Sequence, residues 1–393
     1  MLVFGLDPLT AAMLAAWWKH GWLRTLDSYH FHMLACHHVS MVSLPAVCQR
    51  IVIEFLRPLL LLVVSQSLQD DWRILYSIRL LLPDSLECVG EVPLHGPDDR
   101  TSSTFCFCIF GAVRVPLSHN LACTWSATSN RSNLQRRSYV SLSAMTSGHQ
   151  LWSKRLPTTS HSIACVSSQG LLVVGVVGRL YLLDVACGSA LMTILLSDIG
   201  HGITCIVSAH LIDSTAEVLL VGCHNELCVV PTSGACVCCG PRLALGPFSS
   251  VRITTLVCAP SGSSIAAGLQ NGYLCIVDSR TLAVLHNIEF GNMALHGVTF
   301  LSETQVAVGY AMDLHIVDVG SGARLRCLAI DDAHLPMAVA RSPHGEFLFV
   351  ACLEAEDQDT GGIYKAGFAG FGETSPIVMR VNDTLVADIF EYA

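Results

Sequence analysis

Charge is scarce in this chain. Asp, Glu, Lys and Arg supply 13% of its 393 residues, against the ~25% of an average soluble domain. Lysine occurs three times, as Lys19, Lys154 and Lys365. A disordered chain needs low hydrophobicity and high charge, whereas 52% of these residues are hydrophobic and the mean hydropathy is +0.52. Such a composition excludes disorder as the main state. Basic residues are also in deficit, with 22 Lys+Arg against 31 Asp+Glu and a formal charge of -9. The broad positive footprint of a duplex-binding protein is therefore missing, and nucleic acid is not an expected partner.

Long apolar runs are lacking too. The most apolar stretch, residues 51–64 (IVIEFLRPLLLLVV), is interrupted by Glu54, Arg57 and Pro58, short of the 18 or so residues that read as a spanning helix. The expectation is a buried helix pair or strand; the competing expectation is a membrane-associated protein held by residues 46–64. Three catalytic signatures are absent from the sequence: a nucleophile elbow, a Gly-rich phosphate loop ending in Lys, and a His-Glu-x-x-His pattern. The chain is accordingly expected to be no enzyme and to carry no cofactor. The opening residues begin without positive charge and contain Asp7 and Pro8, unlike a secretory leader. The 18 cysteines fall below the ~8–10% of a disulfide scaffold. A cytoplasmic chain with reduced thiols is the expectation.

What is present is a repeat. Residues 1–148 hold 11 basic and 10 acidic side chains, whereas residues 149–393 hold 11 and 21, so the imbalance lies in the second part. On this basis the chain divides into a mixed, partly helix-like region over 1–95, a linker with extra strands over 96–148, and a repeat domain over 149–393. A Ser/Asn/Arg-rich segment, 124–147, reads as linker or long loop. In the repeat domain four apolar runs each reach a glycine, Gly175, Gly222, Gly268 and Gly309, spaced 47, 46 and 41 residues apart. Nine or ten residues later stand Asp184, Pro231, Asp278 and Asp318, and four residues before each of these stands a leucine: Leu180, Leu227, Leu274 and Leu314.

Short Val/Ile/Leu runs bounded by Gly, Ser, Asn and Asp are buried strands joined by tight turns. Each unit reads as four antiparallel strands, a blade that cannot bury both faces alone, so several blades must stack. A fifth unit follows, with Ala351 in the glycine place. The segments TFCFCIFGAVRV and HQLWSKRL offer a sixth blade or a means of closing the ring.

These residues resemble the WD40 repeat family of β-propellers. The family's turn appears as Pro260-Ser261-Gly262 and Pro343-His344-Gly345, and its terminal dipeptide as Leu183-Asp184, Val277-Asp278 and Val317-Asp318. Its Gly-His pair appears as Gly200-His201, with His296 and His334 near equivalent positions. The resemblance covers about residues 160–370. It implies an all-β propeller of at least four to five blades, and the aspartates and histidine as fold residues rather than a site. It also implies a protein-binding scaffold or adaptor, part of a larger assembly or of trafficking machinery. The alternative is a quinoprotein-like, cofactor-dependent propeller enzyme.

Candidate chemistry is sparse. His30, His32, Cys36, His37 and His38 offer donors suited to zinc, but no second Cys/His pair follows at finger-like spacing. Cys223, Cys228, Cys236, Cys238 and Cys239 cluster locally. Yet Cys228 shares a register with Cys275, and Cys165 with Cys258, as small apolar side chains of a repeated strand layer would. Residues 359–370, DTGGIYKAGFAG, echo a nucleotide loop of the actin family but coincide with a third-strand position. The acidic run Glu354, Glu356, Asp357 and Asp359 is the expected docking loop for a basic segment of a partner protein, since loops on rigid scaffolds often carry binding.

Overall fold

In the computed structural model, the residues described are 61–68, 74–81, 88–94, most of 105–330, and then 334–341, 347–354, 361–367 and 385–391. Residues 56–393 belong to one compact unit. Its described elements are antiparallel strands with a single 3-10 turn, Ser167–Gln169.

Among the described residues there are six four-stranded sheets and one three-stranded sheet, numbered here in chain order. Sheet 1 joins β1 (Leu61–Leu68), β2 (Ile74–Leu81) and β3 (Cys88–Leu94) to the last strand of the chain, β27 (Leu385–Glu391). Sheet 2 contains β4 (Phe105–Val115), β5 (Asn120–Ser129), β6 (Arg136–Ala144) and β7 (Gln150–Leu156). Sheet 3 contains β8 (Ser162–Val166), β9 (Leu171–Val176), β10 (Arg179–Asp184) and β11 (Ala190–Leu195). Sheet 4 follows with β12 (Ile203–His210), β13 (Glu217–Cys223), β14 (Glu226–Pro231) and the short β15 (Arg242–Ala244). Sheet 5 is β16 (Ile253–Cys258), β17 (Ser264–Leu269), β18 (Tyr273–Asp278) and β19 (Val284–Glu289). Sheet 6 is β20 (Gly297–Phe300), β21 (Gln305–Tyr310), β22 (Asp313–Asp318) and β23 (Arg324–Ala329). Sheet 7 has β24 (His334–Arg341), β25 (Phe347–Glu354) and β26 (Gly361–Gly367). The arrangement is all-β and β-propeller-like.

Each repeat unit expected from the glycine register is one sheet, and the first strands follow one another in space. β4 lies against β8, β8 against β12, β12 against β16, β16 against β20 and β20 against β24. The last strand, β27, touches both β24 and β4.

The core is divided into layers between successive sheets. Successive side chains of a strand point to opposite faces, and β13 uses both. Leu219 and Val221 pack with Val173, Leu180 and Ile203 toward sheet 3, while Val218 and Leu220 pack with Ile253, Leu256 and Ile265 toward sheet 5. The same alternation holds in β21, where Val306 and Val308 face sheet 5 and Ala307 packs with Leu348 and Val350 of sheet 7. Middle strands such as β13 and β21 are therefore apolar on both faces over most of their length, which is why they read as nearly continuous runs. Fully burying one such leucine or valine contributes about 1.5–3 kcal/mol.

The registered glycines have a physical cause. A methyl group on Gly175 would stand 2.7 Å from Ile203 Cγ2, and one on Gly309 2.7 Å from Pro336 Cβ. On Gly222 it would meet Ile253, and on Gly268 it would lie 2.8 Å from Thr255 Cγ2 and 2.9 Å from the Leu295 carbonyl oxygen. At each of these positions the chain leading into the next sheet, or its first strand, occupies the space a side chain would need.

Several expectations are corrected. The helix-like reading does not hold over residues 61–68 and 74–81, which are the strands β1 and β2; apolar runs this short do not separate helix from buried strand by period alone. The segment read as linker, 124–147, contains the end of β5 and all of β6. TFCFCIFGAVRV and QLWSKRL belong to one sheet, as its first and fourth strands. The fourth strand of sheet 4 begins only at Arg242. As its third-strand position led one to expect, residues 361–367 of the actin-like segment form β26, the third strand of its sheet. Among the described residues no helix is long and apolar enough to cross a membrane.

Replacing Gly268 by Val should destabilise the protein by about 2–4 kcal/mol through overpacking against backbone. The check is the midpoint of urea unfolding, which should fall with little change in slope.

Candidate interaction surface

The third and fourth strands of four sheets are joined by one recurrent turn. Asp184, Asp278 and Asp318 end the third strands of sheets 3, 5 and 6, and Ala144 holds that place in sheet 2. In each turn the amide four residues on donates to the carbonyl of this residue: Gly148 to Ala144 at 2.8 Å, Gly188 to Asp184 at 2.8 Å, Leu282 to Asp278 at 2.9 Å and Gly322 to Asp318 at 2.9 Å. These donors have φ between 53° and 70°, the left-handed region that glycine enters freely. Each aspartate also caps its own turn. Asp184 Oδ1 accepts from Ala186 N (2.6 Å), Asp278 Oδ1 from Thr281 N (2.7 Å) and Asp318 Oδ1 from Ser321 N (2.8 Å). Hydrogen bonds from Thr281 and Arg280, and from Ser321 and Gly320, hold Asp278 and Asp318 below the usual carboxylate range. These aspartates are fold residues.

Immediately after the turn, every one of these fourth strands carries a β-bulge. Leu142 pairs with Trp152 and Ser143 with Gln150, so Leu151 is the extra residue. In the same way Leu191, Leu285 and Leu325 are extra in sheets 3, 5 and 6. A bulge at a sheet edge re-aims side chains and discourages further pairing. All four leucines are exposed, at 49%, 58%, 46% and 47%. Met192 and Leu195 of β11 and Val284 of β19 add further exposed apolar surface to the same edges.

The residue after the bulge ties one sheet to the next. Trp152 donates Nε1–H to the Val185 carbonyl at 2.8 Å, and its ring covers Gly188. Lys154 Nζ reaches the Gly188 carbonyl at 3.2 Å. Three junctions farther on, His286 Nε2 donates to the Gly320 carbonyl at 2.8 Å and its ring covers Gly322. Each such turn thus receives the preceding sheet's edge strand.

At the same end of the sheets, in the turns between first and second strands, carboxylates perform the same task. Glu217, which opens β13, is 5% exposed. It accepts from Ser168 N (3.0 Å), Ser168 Oγ (2.7 Å) and Ser167 N (3.2 Å) in the 3-10 turn of sheet 3, and from Ser208 Oγ. Burial pushes its carboxyl up, but the hydrogen bonds from Ser208, Ser168 and Ser167 outweigh burial and hold it below the usual range. Glu303 of sheet 6 likewise accepts from Ser261 N (2.7 Å) and Ser263 Oγ (3.2 Å) in the first turn of sheet 5. Between sheets 4 and 5 the link is backbone to backbone, Ile212 N to Gly262 O at 3.1 Å.

Of the acidic run, Glu354 is the last residue of β25; Glu356, Asp357 and Asp359 lie outside the described residues, as do Cys236, Cys238, Cys239 and the His30–His38 cluster. Cys165, Cys228 and Cys275 are buried in their strands. Burial pushes the thiols of Cys165 and Cys258 up to about 11 and those of Cys205 and Cys275 up to about 12, so they stay protonated and inert near neutrality. The metal-compatible donors that the described residues bring together are Asp313, His315 and Cys327. The bulged leucines were not foreseen, although a signal existed: Leu191, Leu285 and Leu325 each fall seven residues after the registered aspartate. The chain matches no protein-family model and no curated protein.

Glu217→Gln should cost about 2–3 kcal/mol, because two charge-assisted hydrogen bonds to backbone amides are lost or weakened in a buried place. The folded-state pKa of Glu217 is depressed, so its contribution is complete above about pH 4.5 and lost as pH falls through the lower folded value. Urea unfolding at pH 7 and at about pH 3 should show the difference between wild type and Glu217→Gln shrinking at the lower pH.

Proposed function

We propose that this chain is a non-enzymatic scaffold or adaptor, built as a seven-bladed WD40-like β-propeller and working as part of a larger cytoplasmic assembly, with trafficking machinery as one setting. Four observations support the propeller. The first strands follow one another in space, and β27 touches the first strands on either side of it. Middle strands bury both faces against neighbouring sheets. In β27, the register against β1 leaves Ala387 as an extra residue. The first strands of sheets 2, 4, 5 and 7 have the same irregularity, leaving Phe110, Thr204, Thr254 and Met337 extra. By that shared mark β27 is the first strand of sheet 1, supplied from the far end of the chain. A cytoplasmic setting agrees with the free thiols of the nine cysteines whose side chains are described.

The observation that carries protein binding is the perimeter. Leu151, Leu191, Leu285 and Leu325 are exposed at one equivalent position of four sheets. Single exposed apolar residues are ordinary on any surface, but the same exposure repeated in register presents apolar anchors at one equivalent place in sheets 2, 3, 5 and 6. Clamps from Trp152, Lys154 and His286 hold the flanking turns, so the anchors stand on a preorganised frame, which lowers the entropy cost of binding. The acidic run beginning at Glu354 complements them with attraction for a basic segment of a partner.

Changing all four leucines to Ser should leave the unfolding midpoint within about 0.5 kcal/mol per site of wild type, as for other surface substitutions. In cells, quantitative proximity labelling should then lose most of the proteins enriched by the wild-type chain. An unchanged set of enriched proteins would contradict the proposal.

A further inference from the structure

We propose that Asp313, His315 and Cys327 form a zinc site on the outer half of sheet 6. Asp313 and His315 are two apart on β22 and share one face of the sheet. Cys327 on β23 is the direct cross-strand partner of His315. Their donor atoms, a carboxylate oxygen, an imidazole nitrogen and the thiol sulfur, all lie within 4.8 Å of one another. Around tetrahedral zinc, donors stand roughly 3.3–3.8 Å apart on bonds of about 2.0–2.3 Å, so rotamer adjustments of about 1 Å close the set. Both strands are hydrogen-bonded in register across the site, which fixes the backbone from which the three side chains project.

The donor chemistry selects the metal. A nitrogen, a sulfur and an oxygen suit zinc, whereas calcium and magnesium take oxygen ligands. With Asp313 and Cys327 ionised and His315 neutral, the ligands carry two negative charges and balance one divalent cation. Cys327 is exposed and the other two are half-buried, so a water completes the fourth position. In the metal-free state the Cys327 thiol donates a hydrogen bond to Asp313. On binding, the S–H bond breaks, the sulfur keeps its electron pair as the ligand, and the proton leaves to solvent.

The surroundings position the imidazole. The Phe290 ring lies edge-on to His315 with centroids 5.1 Å apart, and Tyr310 is 6.4 Å away. Arg324 lies 4.2 Å over the face of Phe290, a cation held by the ring next to the anionic ligands. A zinc ion here would staple edge strand β23, which bears the bulged Leu325, to β22.

The test uses the full chain, stripped with a chelator and titrated with zinc, with cobalt as the spectroscopic probe. The expected result is a zinc site tighter than micromolar, a thiolate-to-cobalt charge-transfer band, and a rise in the thermal midpoint with zinc. Cys327→Ser should abolish the band and weaken zinc by at least about a hundredfold, beyond the ~10–100-fold cost of losing an outer-shell partner. His315→Gln should weaken zinc similarly, and Cys327→His should restore zinc binding without the band. The proposal is overturned if wild type binds no zinc at micromolar concentration. It is equally overturned if Cys327→Ser retains the wild-type affinity and band, because the metal then sits on other cysteines. Should His315→Gln fail to fold, the exposed position Cys327 decides alone.

Discussion

The middle strands of sheets 3 to 6 are apolar on both faces, and much of the structure follows from that. A strand such as β13, with Leu219 and Val221 facing one neighbour and Val218 and Leu220 the other, cannot face water on either side. Its sheet is stable only between two others. Glycine sets how close they come: Gly175, Gly222, Gly268 and Gly309 give up a side chain where the next sheet arrives. A stack with this property has an exposed apolar face at each end unless the ends meet. The contacts of β27 with both β24 and β4 address that need, and β27 does so by pairing with β1 at the start of the compact unit.

The repeat was legible because it serves the inter-sheet contact and the turn, both of which demand particular residues. Glycine is required by the close approach, and Asp suits the turn by capping its amides, so these residues recur at fixed spacing from Gly175 to Asp318. Where other residues meet the same demands, the signal vanishes. In sheet 2, Thr124 stands where the register expects glycine and its cross-strand partner is Gly111; Ala144 replaces the turn aspartate. In sheet 1, Val64 holds the corresponding place. Sheet 1 was illegible for a second reason, since its strands come from residues 61–94 and 385–391 and no local window contains them. The acidic run and the His30–His38 cluster were conspicuous in composition, whereas the leucines and the Asp313–His315–Cys327 group emerge only once strands are paired.

Packing and exposed apolar surface occupy different parts of sheets 2, 3, 5 and 6. Inner strands are spent on packing. The first-to-second-strand turns are clasped by Glu217 and Glu303 and the third-to-fourth-strand turns by Trp152, Lys154 and His286, so neighbouring sheets are tied along one end by polar contacts that contribute specificity of placement rather than large burial. The bulged edges remain, with their leucines exposed and their pairing irregular. Such edges discourage indiscriminate strand addition, and in the proposed scaffold their leucines are the anchors for a partner. The middle strands contribute to the low charge of the chain, because solvent does not reach most of their positions.

The central claim, that the sheets close on one another through the last strand, is tested most directly by hydrogen exchange of the full chain resolved by peptide. Closure predicts that the amides of β27, residues 385–391, are protected to the same degree as those of β12 and β16, and that protection is lost from all of them in one cooperative unfolding event. Exchange of β27 at the rate of an unstructured peptide, with β8 to β23 still protected, would contradict it.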